Sequence, residues 1–231
     1  MEAFTLLLQL NPLNYLALGV FVAVWLGLGF WIEHPGAKRP SVTVLMSERR
    51  RDWMKVFVAR DPRIFDSQIL SSLRQGTSFF ASTCIFAIGG VLALIGNAET
   101  LQGFATQVGD QTPLLIWQMK LGIVGLFLTN AFLKFVWANR VFGYCAVLMA
   151  SVPNDPEDPT SYPRAAQAAE LNIRAAINFN RGLRAVYFAL GGLAWLLGAI
   201  PLLVAALIVG WTVWSREFAS IPRRILLKDT I

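Results

Sequence analysis

Lys120 is the side chain whose position most needs a chemical reason. It stands inside the apolar run 114–137, between Gln118 and Asn130, and an ammonium group within a bilayer-spanning helix costs roughly 2.5–3.5 kcal/mol unless it is paired or hydrated. In a bundle interior, with Gln118 or Asn130, it would hold an anion, a polar substrate or a proton. Near the outer membrane edge it would instead reach outward, toward Asp110 or Glu99. Lys134 lies about 21 Å further along the same helix and some 40° around it, so it either reaches the opposite edge or pairs with Glu33.

The other candidates are cationic. Arg174, Asn178, Arg181 and Arg184 precede a long apolar run; the first three share a helix face, and Glu170 is spaced to pair with Arg174. That face would hold a lipid phosphate or an acidic partner, or else mark a membrane edge with stop charges. Arg49, Arg50 and Arg51 recur among Leu45, Met46, Trp53, Val56 and Phe57, the pattern of a basic amphipathic helix lying on anionic headgroups.

Much chemistry is excluded. His34 is the sole histidine and precedes Pro35, which leaves no histidine metal site or two-histidine relay. Cys84 and Cys145 form neither a disulfide framework nor a ligand cluster. No nucleophile elbow, phosphate-cradling glycine loop, zinc-protease helix or pair of intramembrane carboxylates is present. Catalysis is therefore disfavoured and no cofactor is expected. The basic residues follow membrane topology, so no nucleic-acid partner is expected either.

Membrane helices must position these residues. With 55% hydrophobic residues, 15% charged residues and a mean hydropathy of +0.54, the chain is too apolar for an ordinary soluble domain. The sequence predicts an all-α integral membrane protein forming a single polytopic domain over 1–231, with about five transmembrane helices at 13–32, 79–96, 114–137, 185–200 and 202–214. As one helix, 185–214 would measure about 45 Å against a hydrocarbon core of about 30 Å. The stretch Gly198, Ala199, Ile200 and Pro201 would break it into a hairpin around Pro201, with a short second arm. A shallow re-entrant hairpin is the alternative to two full spans. Gly89 with Gly90, Gly122 with Gly125, and Gly191 with Gly192 would let helices approach closely. Trp25, Trp31, Trp117, Trp137, Trp211 and Trp214 lie mostly toward segment ends, as headgroup-level indoles do.

Loop charge sets the direction. Loop 33–78 carries Lys38, Arg39, Arg49, Arg50, Arg51, Lys55, Arg60, Arg63 and Arg74, whereas 97–113 carries Glu99 and Asp110 without a basic residue. Loop 138–184 and the tail after 214 are again basic. Five crossings put every basic segment in the cytoplasm and the N terminus in the periplasm. The first segment follows a leader with no Lys or Arg, so it is read as retained. Loop 33–78 should form two helices, the second leading into the next span. In 138–184 a connector with Pro153, Pro156, Pro159 and Pro163 should precede an Ala-rich helix from Arg164 into the membrane.

Several strings resemble a bacterial family catalogued as domain of unknown function 599: Asp52-Trp53-Met54, Arg60-Asp61-Pro62-Arg63-Ile64, Ser78-Phe79-Phe80-Ala81-Ser82-Thr83, Phe179-Asn180-Arg181-Gly182-Leu183-Arg184 with Tyr187-Phe188, Ala194-Trp195, and Arg216-Glu217-Phe218. The resemblance runs from about Glu48 to Phe218. It implies a bacterial inner-membrane protein and supplies no activity, substrate or catalytic residue. Three roles fit: a non-catalytic accessory, scaffold or regulator of a membrane complex, a small channel or transporter for a polar or anionic solute, or a lipid-acting enzyme. The partners expected are anionic headgroups and other membrane proteins or further copies of this chain.

Overall fold

The computed structural model describes residues 11–36, 39–107 and 112–228. Lys38 and Asp110 lie outside the described residues. The helices are α1 (Pro12–Glu33), α2 (Val42–Val58), α3 (Ile64–Gly96), α4 (Ala98–Gln107), α5 (Leu114–Ala150), α6 (Ser161–Gly192), α7 (Ala199–Phe218) and α8 (Ile221–Lys228), with a 3-10 turn at Leu193–Leu197. No strand occurs among the described residues.

Local chemistry starts and stops these elements. The Asn11 side chain accepts the Leu13 amide at 3.0 Å and Pro12 follows as the first helical residue, a capped start to α1. Ser41 caps α2 by accepting the Val44 amide at 3.2 Å, and its hydroxyl donates to the Ile32 carbonyl at 2.7 Å. α3 and α5 reach 33 and 37 residues, because no breaker separates the expected spans 79–96 and 114–137 from the adjoining stretches 64–78 and 138–150.

The expected break near the C terminus falls earlier than Pro201. α6 ends at Gly192, tightens into the 3-10 turn, and reaches Gly198 at φ 122°, a conformation open to residues without a Cβ. Pro201 lies in the first turn of α7, where its missing N–H leaves no helical bond unmade. The second arm is consequently not short: α7 has 20 residues.

Four helical stretches are long and apolar enough to cross a membrane: Pro12–Glu33, Ile64–Gly96, Leu114–Ala150 and Ala199–Lys228. The arm 185–200 is not among them; α6 is charged through Arg184 and only its end is apolar.

The described residues fall into two compact units. The first comprises residues within 1–29, 83–131 and 183–213, and the second those within 30–82, 132–182 and 214–231. In the first, Phe21, Phe127 and Phe188 pack on one another, with Phe21 5.6 Å from Phe127 and 5.1 Å from Phe188 between ring centroids. A Cβ on Gly191 would come within 3.0 Å of Val209, so α6 and α7 touch here, whereas Gly89, Gly90 and Gly122 have nothing within 4 Å. Outward side chains include Leu126, Phe86 and Leu207, all exposed, a surface compatible with contact with acyl chains.

The core of the second unit gathers Met54, Phe57 and Val58 of α2, Leu70 of α3, Phe142 and Met149 of α5, and Ala165, Ala168 and Ala169 of α6. Of the apolar residues expected to form one face of α2, Phe57 is buried, Leu45 and Trp53 are half-buried, and Met46 and Val56 are exposed. Phe80, Phe135 and Phe179 form a second aromatic group with centroid separations of 5.4–5.6 Å. Gly182 makes room for it, since a Cβ there would lie 2.7 Å from Phe135.

Candidate functional site

In the first unit Lys120 is 5% exposed. Its ammonium lies 5.7 Å from the Trp117 ring centroid and 5.9 Å from that of Trp195, close enough for both indole faces to attract it. The Trp195 N–H donates to the Asn14 side chain at 2.9 Å. Trp117 is buried as well, and its N–H has no hydrogen-bond partner among the described residues. Glu99 is exposed. Gln118 stands about 200° around α5 from Lys120, and Asn130 about 15 Å along it; both are half-buried. The three residues do not converge.

The cationic candidates before the hairpin also diverge. Arg174 is exposed, while Asn178 is buried and donates to the Arg174 carbonyl at 2.9 Å. Arg184, 7% exposed, lies over Gly29 in the first unit. Arg181 forks onto Glu33 at 2.9 and 2.5 Å, and that hydrogen bond raises its pKa. Glu33 is thus a partner of Arg181; pairing with this carboxylate was one of the two alternatives for Lys134. Glu170 bonds Arg51 at 2.7 Å rather than Arg174.

Successive positions on α2 point about 100° apart, and the three consecutive arginines meet three surroundings. Arg49 is exposed, 3.5 Å from Asp52. Arg51 bridges Glu48 at 2.6 Å and Glu170 at 2.7 Å. Arg50 turns inward and bonds the side chain of Asn172, which is fully buried; burial lowers the pKa of this guanidinium.

Residues that composition did not single out complete the second unit. Asp66 is wholly buried and accepts from Arg60 at 2.5 Å and from the Trp53 indole at 2.6 Å. Arg63 donates to the carbonyls of Val58, Val152 and Pro153 and lies 4.5 Å over Phe57. Glu217 accepts both the amide and the hydroxyl of Thr43 at 3.0 Å, and Asn180 donates to that hydroxyl at 3.3 Å. These contacts tie α2 to α3, α6 and α7.

Two cavities open among these ties. The larger, about 650 Å³, has Ser67, Ser71, Arg74 and Ser78 along one face of α3 and Asn139 and Met149 opposite. Asn139 joins the two walls, donating to Ser78 at 3.1 Å and accepting from Arg74 at 3.4 Å. The smaller, about 370 Å³, is lined by Arg50, Thr43, Asn180 and Glu217 with apolar side chains. Both volumes suit a small ligand. Neither lining pairs a nucleophile with a histidine or cysteine, and no group of three metal-ligating side chains occurs among the described residues. The arrangement can hold a polar or anionic molecule.

A family model described as protein of unknown function, DUF599, matches residues 16–222. The chain belongs to that family. No curated protein and no solved structure matches it. The strings that carry the resemblance include the tie points just described: Trp53, Arg60, Arg63, Asn180, Arg181, Gly182 and Glu217.

Proposed function

We propose that this DUF599 member is a multi-pass protein of the bacterial inner membrane that acts as a non-catalytic accessory or regulatory component of a membrane complex. One observation carries the reading: the strongly placed ionic groups of the second unit close on one another as ties between helices, with no acid–base or nucleophilic pair among them. Such a unit is built to keep a shape, as a recognition surface must. The proposed topology has five crossings, with the N terminus periplasmic and segments 33–78, 138–184 and the C terminus cytoplasmic. It is supported by alternating loop charge and by the contact of Gly191 with Val209, which lays α6 beside α7. Arg49 and Arg174, both exposed, are the cations best placed for anionic headgroups. Purification from native membranes in mild detergent should recover a partner or an oligomer. Recovery of the isolated monomer alone would overturn the reading.

Transport of a polar or anionic solute is the second reading, and the burial of Lys120 between two indoles favours it. It requires that Lys120→Met abolish flux in proteoliposomes; unchanged flux would remove its basis. A lipid-acting enzyme using Arg181 is the weakest reading, because Glu33 already occupies that guanidinium.

A further inference from the structure

Arg50 is the cation of the second unit whose setting calls for something beyond the fold. Arg51, Arg60 and Arg181 each meet a carboxylate, and Arg63 is engaged by three carbonyls. Arg50 bonds only the neutral side chain of Asn172 among the described residues, and burial lowers its pKa. A half-buried guanidinium without a counter-charge bears a desolvation cost that a neutral acceptor offsets only in part. That cost falls at the wall of the 370 Å³ cavity, where an anion would offset it and accept a charge-assisted, bidentate pair of hydrogen bonds.

The remaining lining defines what kind of anion. Phe142, Ile173, Ile177 and Phe179 give the cavity apolar walls. Glu217 is also in the lining, but both its oxygens are held by Thr43, and its charge turns an anionic group away from that end toward Arg50. Asn180, bonded to the same Thr43 hydroxyl, adds a neutral polar group beside it. We infer that this cavity binds a small amphiphilic oxyanion, its carboxylate or phosphate on Arg50 and its hydrocarbon against Phe142, Ile173, Ile177 and Phe179. The inference rests on the geometry of the second unit and is independent of the accessory role.

The full chain in a neutral detergent should be titrated calorimetrically with octanoate and octyl phosphate, and with octanol as the uncharged control. The two oxyanions should bind saturably and octanol about tenfold or more weaker, the range of a charge-assisted contact. Arg50→Gln should weaken oxyanion binding by about tenfold or more, while Lys55→Gln, exposed on the same helix, leaves it unchanged. Gly76 also lines the cavity and has open space where a Cβ would stand, so Gly76→Leu should fill the cavity and abolish binding while favouring the helix. Equal affinity for octanol and octanoate, or full affinity in folded Arg50→Gln, would overturn the site. Should Arg50→Gln fail to fold, retained binding in Gly76→Leu would overturn it equally. In nanodiscs of phosphatidylcholine, competition by added phosphatidic acid would assign the anion to the bilayer. Octyl phosphate binding that phosphatidic acid does not displace would assign it to a soluble amphiphile, and either result keeps the site.

Discussion

Arg181 and Glu33 are joined by a two-pronged hydrogen bond, 2.9 and 2.5 Å, between residues 148 positions apart. The pair is asymmetric, since the Glu33 side chain is 12% exposed and that of Arg181 41%. Removing the cation takes a two-pronged hydrogen bond from a carboxylate that water barely reaches, whereas removing the carboxylate leaves a guanidinium that can turn to solvent. Arg181→Met should therefore lower unfolding free energy by about 2 kcal/mol and Glu33→Gln by under about 1 kcal/mol. In the double variant much of the larger loss should return. Denaturant titration in detergent checks this, and equal losses would refute the asymmetry.

Asp66 joins Arg60 and Trp53 at the corner between α2 and α3. Asp66→Ala would leave the Arg60 guanidinium and the Trp53 indole without their acceptor, at about 3 kcal/mol. Trp53→Phe keeps the ion pair and loses one hydrogen bond, about 1 kcal/mol. The indole N–H also reports: its proton resonance, assigned by its loss in Trp53→Phe, should move in Asp66→Ala as water replaces the carboxylate. An unshifted spectrum with unchanged stability would contradict the role given to this residue.

At Gly182 the space for a Cβ is already occupied by the Phe135 ring, 2.7 Å away. Gly182→Leu should destabilise the fold by about 2 kcal/mol or more through overpacking, despite leucine's better helix propensity. A second change, Phe135→Ala, should recover part of that loss by opening the ring's volume. Thermal unfolding of the single and double variants measures both, and a Gly182→Leu protein as stable as the parent would exclude the close contact.

Helix positions were legible in the sequence wherever a run of apolar residues met a strong breaker: Pro12 starts α1, and Pro153 follows the end of α5. The fine position of the C-terminal break was not. Proline is compatible with a helix's first turn, so Pro201 could mark either a break or a start; the left-handed backbone at Gly198 decides for a start. The cationic site was less legible still. Charge spacing along one helix placed Glu170 with Arg174, but Arg51, remote in sequence, reaches the same carboxylate. Likewise Glu217 reads as one more charge of a basic tail until α7 brings it to Thr43. Pairings between distant helices leave no local period, and of these residues only Glu217 lies in a string shared with the family.

The central claim is a bilayer topology in which loop 97–113 is periplasmic and the 151–160 connector cytoplasmic. Glu99 and Glu157 are exposed, one in each segment, while the native Cys84 and Cys145 are buried. Glu99→Cys and Glu157→Cys, made separately, therefore place reactive thiols on opposite faces, to be probed with a membrane-impermeant maleimide. In intact spheroplasts Glu99→Cys should label fully, and Glu157→Cys only after the membrane is opened. Labelling of Glu157→Cys in intact spheroplasts would contradict the account.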